Sequence, residues 1–273
     1  MTEIQNRKKS GTVFKRHFVA AAFVPLFIAY LYYLPPFPWF FALLLLAMMT
    51  ALWEFYAMYR VTAVLRIPGV LLGGVLFYLF CHHPPLLMNG FFITLFLLML
   101  IRLFSAKTPS GSMTEMGPLG MGLLYVGGFL GFQWLLRMEA GMEYIFLLYA
   151  SVWLADSGAF YMGTYLGRNK LYPSVSPNKT WEGAAGSVLG GVLGAVVIKT
   201  VFAMDGMSLA AATGTGVIMG IAALLGDLIE SMFKRDAGVK DSGMFIPGHG
   251  GILDKLDGLL AAGPVLYLVV RYL

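Results

Sequence analysis

Charge is what this sequence lacks. Lysine, arginine, aspartate and glutamate make up 12% of the 273 residues, whereas hydrophobic residues make up 59% and mean hydropathy is +0.76. A soluble domain carries about 25% charged residues. Too little polar surface remains to cover a water-facing globule, so lipid takes the place of water over much of the chain. Cysteine is nearly absent as well. The single Cys81 excludes an intrachain disulfide framework and any multi-cysteine metal site, and its place in an apolar run marks a small buried hydrophobe. No small-residue cleavage site follows a short apolar core near the start, so the first apolar run reads as a retained span.

What is present is a series of apolar runs long enough to cross a bilayer, at 17–34, 38–58, 67–84, 86–104, 119–138, 142–163, 184–203, 208–231 and 252–271. They predict an all-α polytopic membrane protein of about nine transmembrane helices with its N-terminus cytoplasmic. That orientation puts every lysine and arginine inside except Arg137, Lys199 and Arg271, out of 19 in total, a strong positive-inside bias. Trp39, Trp53 and the Tyr30, Tyr32 and Tyr33 group fall near span ends, as an interfacial aromatic belt does. Residues 1–140 read as a scaffold of helices, and 141–273 as a catalytic region with polar connections at 164–183 and 232–251. Those two connections fall on one side and can build one site. Glycines 183, 186, 190, 191 and 194 weaken the helix propensity of the seventh span but let helices pack closely, within one chain or in a homodimer.

The chemistry is concentrated between Asp227 and Asp257. This stretch holds Asp227, Glu230, Asp236, Asp241, Asp254 and Asp257, together with Lys234, Arg235, Lys240, Lys255 and His249. Asp227, Glu230 and Ser231 share one helix face by their i, i+3, i+4 spacing, and Asp254 and Asp257 repeat the i, i+3 relation. Carboxylates are hard oxygen ligands, and Mg²⁺ commonly takes one or two of them alongside water and substrate phosphate. Two carboxylate-bearing helix ends joined by a basic loop suit a metal-bound polyphosphate. Between them, Pro247-Gly248-His249-Gly250-Gly251 brings backbone N–H groups and a helix N-terminus toward an anion; alone, such a turn is common and His249 could be structural. In the other connection, Lys179 could neutralise a phosphate to which Ser176 and Thr180 donate. A proline-containing turn in which Thr180 or Asn178 caps the next helix accounts for the same residues. Asp156 lies inside a span, where a carboxylate is costly and functional by default, although a hydrogen bond to a neighbouring helix would also retain it.

Taken together these blocks resemble the phosphatidate cytidylyltransferases, or CDP-diacylglycerol synthases. The matching residues are Ser176-Pro-Asn-Lys179-Thr180-Trp-Glu-Gly183, Gly226-Asp227-Leu-Ile-Glu230-Ser231, Ser231-Met-Phe-Lys234-Arg235, Lys240-Asp241, Pro247-Gly-His249-Gly-Gly251 and Asp254-Lys255-Leu-Asp257. The likeness is dense over about 155–260, while over 1–140 it amounts to hydrophobicity and length. One departure stands out: Lys255 replaces the family's arginine, which keeps the charge and loses the planar bidentate fork.

The resemblance implies transfer of the cytidylyl group of CTP to phosphatidate at the cytoplasmic face of the cell membrane, giving CDP-diacylglycerol and pyrophosphate. The expected partners are CTP, phosphatidate and membrane lipid, with no nucleic acid. On that basis Asp227 and Asp254 are expected to hold Mg²⁺, with Asp257, Asp156 and Glu230 completing or orienting its shell. Lys179, Lys234, Arg235 and Lys240 are expected to neutralise phosphates, and His249 and the Gly248–Gly251 backbone to donate to phosphoryl oxygens. Ser176, Thr180, Ser231, Asp241, Gly250 and Lys255 complete the expected substrate contacts. A second cation such as K⁺ has room among so many oxygen ligands. An ion transporter using Asp156, Asp227 and Glu230 leaves the basic glycine-rich loop without a role. A CDP-alcohol phosphotransferase lacks its arginine after Asp257-Gly258, and a purely structural membrane protein explains nothing in the last hundred residues.

Overall fold

The structure is a computed structural model and describes residues 25–243 and 250–272. A helical segment covers 25–33. It is followed by α1 (Pro36–Met58), α2 (Ala63–His82), α3 (Pro84–Ser105), α4 (Ser112–Glu139) and α5 (Met142–Tyr165). A hairpin of β1 (Lys170–Tyr172) and β2 (Ser176–Thr180) leads into α6 (Trp181–Val201), α7 (Leu209–Asp236) and α8 (Leu253–Tyr272). The chain divides into two compact units, 1–42 and 43–273, and everything below concerns the second.

The fold is all-α and polytopic, as composition required. Among the described residues, the 7 helices α1–α7 are long and apolar enough to cross a membrane. Of the first expected span, 17–34, residues 17–24 lie outside the described residues and 25–33 are helical. The last is present as α8, a 20-residue helix whose Asp254, Lys255, Asp257 and Arg271 dilute its hydropathy.

Boundaries follow local chemistry. α2 and α3 are parted at His83, because Pro84 and Pro85 cannot extend a helix yet fit the first turn of the next. α4 begins at Ser112 rather than 119, after Gly111 turns the chain at φ +77, and contains a π-helical turn at Leu123–Gly128. α7 runs on to Asp236 rather than ending at 231, supported by an i, i+4 ion pair between Glu230 and Lys234. The connection 164–183, expected as a loop, holds the antiparallel hairpin with Lys170 opposite Thr180 and Tyr172 opposite Ser176. Glu182 anchors it by accepting from the Arg168 and Asn169 backbone N–H groups and from Asn169 Nδ2 at 2.9 Å.

The glycines of α6 pack as expected. A Cβ on Gly186 would run into the Gly158 carbonyl of α5, one on Gly190 into the Leu154 carbonyl, and one on Gly191 into the Gly216 carbonyl of α7. Ser187 Oγ adds a hydrogen bond to the Gly220 carbonyl at 3.0 Å. Backbones in contact exclude side chains and strengthen dispersion between α5, α6 and α7.

Polar ties gather at the end of the bundle where α1, α3, α5 and α7 finish and α2, α4, α6 and α8 begin. Tyr59 Oη donates to Asp236 Oδ2 at 3.0 Å. Burial first, then that hydrogen bond, hold the Tyr59 phenol above its ordinary pKa. Arg102 Nε and Glu115 Oε2 pair at 2.6 Å, and Glu115 Oε1 accepts from the Thr62 N–H. Arg137, Lys199 and Arg271 lie on helix ends of opposite sense, with Arg271 hydrogen-bonded to Tyr267.

Candidate active site

The face predicted on α7 forms. Ser231 Oγ donates to Asp227 Oδ1 at 3.2 Å, one helical turn away. Lys179 reaches across from β2 to place Nζ 2.7 Å from Asp227 Oδ2. Lys234 Nζ lies between two carboxylates, 2.9 Å from Glu230 Oε2 and 2.7 Å from Asp254 Oδ1. Glu230 is wholly buried, so its ionised form requires a partner such as Lys234. Its Oε1 is buried and has no hydrogen-bond partner in the protein.

Two further carboxylates converge from separate helices. Asp156 of α5 lies within electrostatic reach of Asp227, Lys179 and Lys255, and Asp257 of α8 within reach of Asp227, Asp156 and Lys234. Asp257 Oδ1 accepts from the Gly258 N–H at 2.7 Å. Among the described residues no three His, Cys, Asp or Glu side chains form a ready metal cage. Mg²⁺ asks for less, since one or two carboxylates suffice when water and phosphate fill the remaining positions. The carboxylates of Asp227 and Asp257, with the unpartnered Glu230 Oε1 within electrostatic reach of Asp257, are donors of the right hardness for it.

Asp254 is placed differently. Its Oδ2 accepts from the Gly251 N–H at 2.7 Å and the Ser242 N–H at 3.1 Å, while Oδ1 faces Lys234. The carboxylate ties the first turn of α8 to the preceding loop, so it enters the site through Lys234. The Gly251 N–H, expected to face a phosphate, is bonded to Asp254, and the next two N–H groups, of Ile252 and Leu253, are bonded to Glu54 at 3.0 and 2.8 Å. Internal carboxylates occupy the favourable position at this helix N-terminus that an anionic ligand would otherwise take. The glycines are required by this crowding. A Cβ on Gly250, at φ +84, would come within 2.6 Å of Asp254 Oδ2. One on Gly251 would collide with both Glu54 and Ser242. Gly248 and His249 lie outside the described residues.

Of the other expected residues, Thr180 is buried and its Oγ1 caps α6 by accepting from the Gly183 N–H at 3.1 Å. The capping alternative therefore accounts for an acceptor site on its hydroxyl and leaves the O–H free of that role. Ser176 lies on β2 opposite Tyr172. Arg235 is exposed, and its Nε donates to the Val175 carbonyl at 3.2 Å and its Nη1 to the Val239 carbonyl at 3.1 Å, joining the two polar connections. Lys240, Asp241 and Lys255 are exposed at the same end.

Two residues from the N-terminal helices were not anticipated. Glu54 is the sole charged residue in Phe41–Met58 and is buried; a lone carboxylate in a span was itself a signal. Tyr125 sits in the π-helical turn of α4, where its buried Oη has no hydrogen-bond partner and lies within electrostatic reach of Glu230, Asp257 and Asp227. Single-turn π segments recur at functional sites.

The profile of the Cytidylyltransferase family matches residues 14–273. The chain belongs to that family. Among its relatives, a phosphatidate cytidylyltransferase of Synechocystis sp. is 46% identical over 139 residues, covering 49% of this chain and 45% of the relative. One from Staphylococcus saprophyticus is 39% identical over 151 residues, covering 55% and 57%, and one from Brucella suis is 42% identical over 154 residues, covering 54% of each. The chain thus spans about half the length of the relatives it matches. The carboxylates and lysines described above all fall within the matched residues.

Proposed function

We propose that this membrane protein transfers the cytidylyl group of CTP to phosphatidate, forming CDP-diacylglycerol and releasing pyrophosphate, at the cytoplasmic face of the cell membrane. The observation that carries this reading is the lysine-bridged carboxylate cluster at one end of the bundle, built from the residues that match the family. In the reaction a phosphatidate oxygen forms a bond to the α-phosphorus of CTP. The bond from that phosphorus to the bridging oxygen breaks, and pyrophosphate leaves with the electron pair. The attacking phosphate is already ionised near neutral pH, so no strong general base is needed. The difficulty is bringing two polyanions into line, which calls for fixed positive charge and positioning.

Lys179 and Lys234 supply charge held at defined positions by their carboxylates, while Arg235, Lys240 and Lys255 offer exposed charge at the rim. Asp227 and Asp257, with Asp156 beside them, would hold Mg²⁺, which when bound offsets triphosphate charge and stabilises the departing pyrophosphate. The acyl chains of a lipid substrate remain in the bilayer while the nucleotide arrives from water, which accounts for a site at the end of the helices.

The test is pyrophosphate release by the purified chain in detergent, with CTP, phosphatidate and Mg²⁺ omitted in turn and EDTA added in a further arm. Release that requires all three and stops with EDTA is expected. Release without phosphatidate, or none under any condition, would overturn the assignment.

A further inference from the structure

We infer that Glu54 is a positioning residue for nucleotidyl transfer, delivered by an N-terminal helix to hold the loop and helix end that carry Asp254. The inference rests on the reading above and adds a part of the chain that the sequence motifs do not reach.

Glu54 is 5% exposed. Burying a carboxylate is costly unless hydrogen bonds replace its water, and among the described residues Glu54 has three donors, all from one stretch of chain. Oε1 accepts from the Ile252 N–H at 3.0 Å. Oε2 accepts from the Leu253 N–H at 2.8 Å and from Ser242 Oγ at 3.3 Å. Hydrogen bonds to an ionised acceptor are roughly twice as strong as neutral ones. The same Ser242 donates its backbone N–H to Asp254, which in turn meets Lys234. One continuous polar chain therefore runs from Glu54 through Ser242 to Asp254, Lys234 and Glu230.

Backbone geometry bears the same imprint. A Cβ on Gly243 would lie 2.7 Å from Glu54 Oε1, and one on Gly251 would collide with Oε2. Glycines on both sides of the loop leave space for this one carboxylate. Glu54 touches no member of the Asp156, Asp227 and Asp257 group, so its effect passes through Asp254 and Lys234. A displacement of about 1 Å at such a support can cost about 10²-fold in rate.

Glu54→Gln keeps the side chain's size but has one accepting oxygen, and its amide N–H₂ would face a backbone donor. Two readouts in the full-length protein test the inference: amide hydrogen exchange over 250–255, and kcat and KM for CTP in pyrophosphate release. Expected for Glu54→Gln are exchange at least tenfold faster over 250–255, with 265–272 unchanged, and kcat lowered about 10- to 100-fold at a nearly constant KM. Glu54→Asp, which keeps the carboxylate, should recover part of both. If Glu54→Gln does not fold, Ser242→Ala removes a single donor and should show the same pattern at smaller size. Wild-type exchange with wild-type kcat in these variants would overturn the inference, as would faster exchange with no loss of kcat. A wild-type chain that releases no pyrophosphate yet shows the exchange difference sinks the reaction assignment and leaves the clamp standing.

Discussion

Lys234 stands between two carboxyl groups. Its ammonium is the shared partner of a wholly buried Glu230 and of Asp254. Removing one partner from a buried ion pair leaves an uncompensated charge and costs about 3–5 kcal/mol. Lys234→Met is therefore expected to lower stability by about that amount, read as a fall in the thermal midpoint of the detergent-solubilised protein. Lys240→Met, at an exposed position, is expected to change it by less than about 0.5 kcal/mol. At this scale the sequence is informative about spacing along one helix. The Asp227–Ser231 contact is an i, i+4 relation and could be read directly. The engagement of Asp254 could not, because it depends on how the loop before α8 returns to meet it. Glu54 stayed hidden because its helix has no second charged residue to form a motif, although its isolation was a usable sign.

Between elements, the tightest constraint is the glycine seam of α6. It was legible, since five glycines in one span serve little purpose other than close approach. The hairpin of β1 and β2 was not legible, because its short strands depend on Glu182 binding back to Arg168 and Asn169, a contact set by the fold. Gly190→Ala puts a methyl group against the Leu154 carbonyl, backbone that has little freedom to yield. Overpacking of this kind costs about 1–3 kcal/mol, so a lower midpoint on heating is expected, read by size-exclusion chromatography of the heated protein. Gly214 of α7 has open space around its Cβ position. Gly214→Ala should leave the midpoint unchanged or raise it slightly, since alanine favours helix by up to about 1 kcal/mol.

For the molecule as a whole, the decisive regularity is charge. The end of the bundle bearing the carboxylates also bears Arg60, Arg66, Lys107, Arg168 and Lys170, while the opposite helix ends bear Arg137, Lys199 and Arg271. By the positive-inside rule this charge pattern supports the proposal that the carboxylate end faces the cytoplasm. Single cysteines on a Cys81→Ser background report on this. Lys107→Cys, between α3 and α4, should react with a membrane-impermeant maleimide only in inside-out vesicles, and Asp205→Cys, between α6 and α7, only in right-side-out ones. The reverse pattern would invert the proposed orientation and place the site away from cytosolic CTP. Fold class was legible at this scale because composition alone required lipid. The exact number of crossings was not, since the last helix carries its functional charges inside what hydropathy treats as a span.

The glycine seam also bears on traffic. Where α5 meets α6, and α6 meets α7, peptide backbone lies against peptide backbone, with no width for a hydrocarbon tail to slip between. That side of the protein is a wall. A bilayer-dissolved substrate of the kind proposed above would have to reach the carboxylates from another flank of the bundle.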